Sequence, residues 1–165
     1  MARLPNDPLL PLQWYIDGSG YDVPRVDLHV KPVWADYSGT GVTVGIYDSL
    51  VERTHPDLAA NYDDSFRVDG LPYDSTASAH GTTVAGVIAG VANDIGVAGI
   101  AFGAHVTSLP VIFSSSVAIS WLLQAMPEAW RFDVVNMSYG GGSAFDAYLG
   151  PEGWAEIQPG YTMAA

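Results

Sequence analysis

The run Gly41-Val-Thr-Val-Gly-Ile-Tyr-Asp48 is apolar and β-branched up to a single terminal carboxylate. A strand buried on both faces of a parallel sheet reads this way, and it would deliver Asp48 to its carboxyl end. Downstream, Val84, Val87, Ile88 and Val91 fall at the i, i+3, i+4, i+7 spacing of an amphipathic helix that His80 opens and Asn93, Asp94 and Gly96 close. A second apolar strand is expected around Val106 to Phe113, where Pro110 marks an edge, a bulge or a boundary. Another helix, with Ile119, Leu122, Leu123 and Met126 as its buried stripe, leads to a third strand, Phe132-Asp-Val-Val-Asn-Met-Ser138. Tyr139 and Gly140-Gly141-Gly142 follow it. Strand, helix, strand, helix, strand predicts an α/β fold on a parallel sheet. Ligands gather beyond the carboxyl ends of such strands, where Asp48 and Ser138 both fall.

Upstream of that pattern, residues 1–40 read as an irregular arm rich in Pro, Gly and Asp, with Trp14, Tyr15 and Trp34 as its expected anchors on the domain of residues 41–165. The 165 residues and 48% hydrophobic content suffice for one domain with a core. Eighteen acidic residues against six basic ones give a net charge of -12, which repels nucleic acid and anionic membranes, so neither is an expected partner. With no cysteine, disulfides and thiolate metal sites are excluded. The first fifteen residues are broken by Pro5, Pro8 and Pro11, so they do not read as a signal peptide, and no run is long enough to span a bilayer.

Asp48 at a strand end and His80 at a helix start supply the chemistry. A carboxylate that orients an imidazole is half of a relay that activates a nucleophile. Gly81 and Gly86 would let neighbouring backbone approach that helix. A dinucleotide-binding domain would need a glycine-rich turn after the first strand, and Ser49-Leu50-Val51-Glu52 is not one. A metal hydrolase using Asp48, His55 and His80 would lack any local ligand pair of the H-E-x-x-H kind.

Four blocks in order resemble the subtilisin-like serine peptidases, the subtilases. They are Val44-Gly-Ile-Tyr-Asp48 with His55-Pro56-Asp57-Leu58; His80-Gly81-Thr82-Thr83-Val84-Ala85-Gly86; the loop from Val91 to Ala101; and Val135-Asn136-Met137-Ser138-Tyr139-Gly140-Gly141. Asn6-Asp7-Pro8, Gln13-Trp14-Tyr15 and Asn61-Tyr62 look closest to the kexin and proprotein-convertase branch.

The resemblance implies the N-terminal portion of a subtilisin-like peptidase domain, secreted or extracytoplasmic, that cleaves polypeptide substrates through an Asp-His-Ser triad. Asp48 and His80 would be its catalytic residues, and Ser138, Tyr139 and Gly140 would bind substrate. It further implies a structural calcium ion held by Asp7, Asp57, Val91, Asn93, Ile95 and Val97. The family's Gly-Thr-Ser nucleophile block does not occur in these 165 residues, and Ser143 reads as a loop residue. The expected partner is therefore the C-terminal half of the catalytic domain, and this chain alone is expected to be inactive. A second departure is Ser49-Leu50, where the family has Thr-Gly or Asp-Gly. The convertases place an acid at position 49 for a basic P2 side chain, and Ser49 is neutral. The alternative reading is a non-catalytic fragment or pseudopeptidase that holds an extended peptide along Ser138 to Gly140 by strand addition.

Overall fold

The computed structural model describes residues 4–19, 26–73, 79–111 and 116–139, with the side chains of 116–119 outside the described set. Among the described residues one sheet forms from three parallel strands, β1 (Thr43–Asp48), β2 (His105–Pro110) and β3 (Val134–Met137), in the order β2-β1-β3. Helix α1 (Ala79–Ala89) connects β1 to β2, and α2 (Ser116–Ala125), extended by a 3-10 turn over Met126–Arg131, connects β2 to β3.

The two helices lie on opposite faces, as right-handed crossovers running first one way and then the other across β1 require. Strand alternation divides the core accordingly. Val44, Ile46 and Val106 pack with Ala85 and Ala89 of α1 and with Val51 and Leu58. Tyr47 and Leu109 face the other way, against Leu122, Ala125, Met126 and Phe132. Each fully buried aliphatic side chain in these layers contributes roughly 1.5–3 kcal/mol. Gly45 shares the face of Tyr47, and a Cβ there would sit 2.9 Å from the Phe132 ring, so the strand needs glycine at this point.

Several boundaries differ from expectation. β1 starts two residues later than Gly41, which has a φ of 86° and forms a turn in which Val42 N–H donates to Gly39 O. β2 ends at Pro110; Val111 N–H still donates to Asp48 O at 2.8 Å, so in the parallel ladder position 110 would have pointed its N–H away from β1. Proline costs no ladder bond there. Ile112 and Phe113 lie outside the described residues. β3 is shorter than the seven-residue run read from the sequence. α1 stops at Ala89, so Val91 is not part of its stripe; its N–H donates instead to Asp57 O. Leu122 and Met126 are buried as expected, and Leu123 is partly so, while the Ile119 side chain is outside the described set.

The arm packs through Ile16 and Trp34, which are buried with Ala98 and Phe102, and Trp34 Nε1 donates to Ile100 O at 2.9 Å. Tyr15 packs partly buried against the same cluster. Trp14 is not an anchor: it is 44% exposed. Gln13 takes the buried place, because a primary amide can satisfy both backbone groups of Ala98 whereas an indole has a single donor.

Candidate active site

β1 is the central strand, and the chain leaves it for β2 on one side and returns to β3 on the other. This is the switch point at which a crevice opens beyond the strand ends. The register ends with Asp48 opposite Pro110 and Tyr47 opposite Met137, which sets Ser138 one residue further along the same edge.

Asp48 is buried to 3% exposure at this edge, while the His80 side chain is 64% exposed. His80 Nδ1 lies 2.7 Å from Asp48 Oδ1. Two further donors, Ser49 N–H at 2.6 Å and Ser49 Oγ at 3.0 Å, converge on the same oxygen. An oxygen receiving these donors acts as the acceptor, so Nδ1 carries the proton and Nε2 is the basic nitrogen of the ring. The other carboxylate oxygen, Oδ2, is buried with no partner among the described residues.

α1 is brought to this position by close approach of backbone. Gly81 is buried, and a Cβ there would overlap the carbonyl oxygen of Ser49. The expected role of Gly86 does not hold, since its Cβ would meet only Val97 Cγ2 at an ordinary 3.7 Å. The second tight approach falls at Gly90 and Gly99, where a Cβ on Gly90 would lie 2.8 Å from Gly86 O and 3.0 Å from Val97 O. Leu50 is buried and is not in the left-handed region, so the turn after Asp48 does not need the glycine usual in the family.

Ser138 is exposed and Tyr139 half-buried at the end of β3, whereas Gly140 and Ser143 lie outside the described residues. Asn136 Nδ2 donates to Ser138 Oγ at 2.8 Å. His55 is a turn residue: its Nδ1 accepts from Asp57 N–H at 3.2 Å, and it is not brought to Asp48 and His80 as a metal ligand.

On the arm side of α1, Asp7 and Asp57 converge on the loop after the helix. Asp7 Oδ1 accepts from Asn93 N–H at 3.0 Å, and Asp57 Oδ2 accepts from Val97 N–H at 2.8 Å. Leu9 N–H donates to Gly96 O. Asn93 Oδ1 accepts from Ile95 N–H, and Asp94 and Gly96 both adopt positive φ. Both carboxyls are buried to 2% exposure, and Asp7 Oδ2 and Asp57 Oδ1 have no partner among the described residues. Burial pushes the Asp57 carboxyl up, helped by the Asp7 charge and opposed by the Val97 N–H. Among the described residues no cluster of three or more His, Cys, Asp or Glu side chains forms a metal site.

A parallel α/β sheet with an Asp–His pair at its switch point is the arrangement that the comparisons with known proteins assign to a family. Residues 39–157 match the model of the Subtilase family, and the chain belongs to that family. It is 34% identical over 151 residues to neuroendocrine convertase 2 of Bos taurus, covering 82% of this chain and 23% of that protein. Furin of Bos taurus is 43% identical over 106 residues, 58% of this chain and 13% of its own length. Among solved structures, the serine protease of Aeromonas sobria superposes with a TM-score of 0.68 at 31% identity, over 84% of this chain and 26% of that one. A protease from Pseudoalteromonas arctica covers 98% of this chain and 56% of its own, with a TM-score of 0.66 at 26% identity. The chain thus spans about a quarter of the length of neuroendocrine convertase 2.

Sequence reasoning found both members of the Asp–His pair and one of the glycines beneath them. It missed what Ser49 does. Ser49 reads as a neutral departure from the family pattern, although a hydroxyl next to a strand-end carboxylate is itself a signal for local hydrogen bonding.

Proposed function

We propose that this chain is the Asp- and His-bearing part of a secreted or extracytoplasmic serine endopeptidase that acts on polypeptides. The observation that carries the reading is the 2.7 Å contact between Asp48 Oδ1 and His80 Nδ1 at the carboxyl edge of the sheet. With Nδ1–H held by Asp48, Nε2 would take the hydroxyl proton of the serine in a Gly-Thr-Ser block, which these 165 residues do not contain, as its oxygen attacks a peptide carbonyl. The same nitrogen would return that proton to the leaving amine, and water would then hydrolyse the acyl-enzyme. Asp48 stabilises the imidazolium between the two transfers.

Substrate would extend along Ser138, Tyr139 and Gly140, pairing its backbone with the chain leaving β3, which among the described residues is paired on one side only. That edge also supports the alternative, a fragment that binds peptide without cleaving it.

A structural calcium ion is proposed between the arm and the loop after α1. Two buried carboxylate oxygens without partners among the described residues, Asp7 Oδ2 and Asp57 Oδ1, support an oxygen-liganded cation, with the Val91, Ile95 and Val97 carbonyls and Asn93 to complete the shell. Bound there, calcium would offset two buried charges and fasten the arm to the domain.

The test is peptide hydrolysis by the natural polypeptide that carries residues 1–165. Asp48→Asn should lower kcat by roughly 10⁴ and His80→Ala by roughly 10⁶. Unchanged hydrolysis in both would overturn the assignment, and peptide binding without turnover in the parent would favour the fragment.

A further inference from the structure

The hydroxyl of Ser49 joins the two halves of the Asp–His pair. Its Oγ donates to Asp48 Oδ1 at 3.0 Å and accepts from Gly81 N–H at 3.0 Å. Both directions are fixed by chemistry: an amide can only donate, so the serine proton goes to the carboxylate. Gly81 lies in the first turn of α1, where backbone N–H groups have no acceptor within the helix. Ser49 therefore acts as a cap supplied from the end of β1, 32 residues away in sequence. The approach is close enough to require glycine at position 81. A second bond, Glu52 N–H to Thr82 Oγ1 at 3.0 Å, fastens the same turn to the same loop.

We propose that Ser49 is a positioning residue for the reaction, holding the first turn of α1 so that His80 Nδ1 meets Asp48 in one tautomer and one orientation. The inference rests on the peptidase reading. A single atom spans the carboxylate and the helix that carries the imidazole, so alanine at position 49 removes both bonds at once. Threonine keeps the hydroxyl and both bonds.

The experiment uses the natural polypeptide carrying residues 1–165, labelled with 15N at histidine, and follows the His80 Nδ1 proton by NMR alongside steady-state kinetics. In the parent, that proton should give a slowly exchanging, strongly downfield signal. Ser49→Ala should broaden or abolish it while the rest of the spectrum remains folded, and should lower kcat on the order of tenfold, about 1.4 kcal/mol in the barrier, with KM little changed. Ser49→Thr should restore both signal and rate. Should Ser49→Ala fail to fold, Gly81→Ala reports on the same contact, because its methyl group would displace the helix turn from Ser49. An unshifted His80 signal in a folded Ser49→Ala or Gly81→Ala protein would overturn the positioning role and leave the Asp–His pair intact. A parent with no such signal, or hydrolysis that survives His80→Ala, would overturn the peptidase reading and this inference with it.

Discussion

Gln13 grips Ala98 at both ends of its backbone, with Nε2 donating to the Ala98 carbonyl at 2.8 Å and Oε1 accepting from the Ala98 N–H at 2.9 Å. The amide is 4% exposed, and 85 residues separate the partners in sequence. This pair ties the irregular arm to the loop that follows α1. Gln13→Ala would leave two buried backbone groups unpaired, at a cost of about 1–3 kcal/mol each. Chemical unfolding should show a loss of about 2–6 kcal/mol on that basis. A loss below about 0.5 kcal/mol, the range of ordinary surface changes, would mean that the arm is not held here.

The two glycines of α1 should behave oppositely. Gly81→Ala would drive a methyl group into the Ser49 backbone and should destabilise the fold by roughly 1–3 kcal/mol, as overpacking does. Gly86→Ala meets only Val97 Cγ2 at 3.7 Å, and alanine is the better helix former by about 1 kcal/mol, so thermal melting should show no loss or a gain. Equal losses from both would contradict the packing of α1 described above.

Alkaline titration tests the buried tyrosines. Burial pushes the Tyr62 hydroxyl up to about 12, with the Ser108 N–H opposing, and burial also raises Tyr47 and Tyr73. A phenol raised in the fold stabilises it while neutral. That contribution is fully present below the ordinary value of 10.0 and is lost as pH rises toward 12. Absorbance at the phenolate band should therefore show a late-ionising class that joins the others once denaturant is added. A single transition at the ordinary value in the native protein would refute the burial of Tyr47 and Tyr62.

The proposed calcium site predicts a melting temperature that rises with calcium and falls with chelator. Asp57→Asn should weaken calcium affinity at least tenfold while removing the metal-free penalty of two adjacent buried carboxyls, Asp7 and Asp57. Melting that is indifferent to calcium in the parent, or calcium affinity unchanged in Asp57→Asn, would remove the site.

The periodicity of the sequence revealed the sheet, both helices and the placement of Asp48, because a strand buried on both faces and an amphipathic helix leave opposite patterns. It misjudged details that depend on partners distant in the chain. Trp14 looks like a core residue, yet the buried position goes to Gln13 because the loop at Ala98 needs a donor and an acceptor together. Gly86 is indistinguishable in sequence from Gly81, and only the fold shows which of them faces Ser49. Pro110 reads in sequence as an edge, a bulge or a boundary, and the alternation of parallel hydrogen bonds leaves that position without a bond to β1 to lose. Ser49 was visible as a departure from the family, and its two hydrogen bonds appear only when β1 and α1 are brought together.

On the proposed function, Asp48 and His80 would activate the serine of a Gly-Thr-Ser block that does not occur in these 165 residues. Labelling with a fluorophosphonate probe tests it most directly, since reaction needs an activated serine hydroxyl and no particular substrate. In the natural polypeptide that carries residues 1–165, we expect stoichiometric labelling at one serine in a Gly-Thr-Ser sequence, reduced at least 10³-fold by His80→Ala, and none in the 165-residue chain alone. Labelling that persists undiminished in His80→Ala, or stoichiometric labelling of the 165-residue chain itself, would contradict the account.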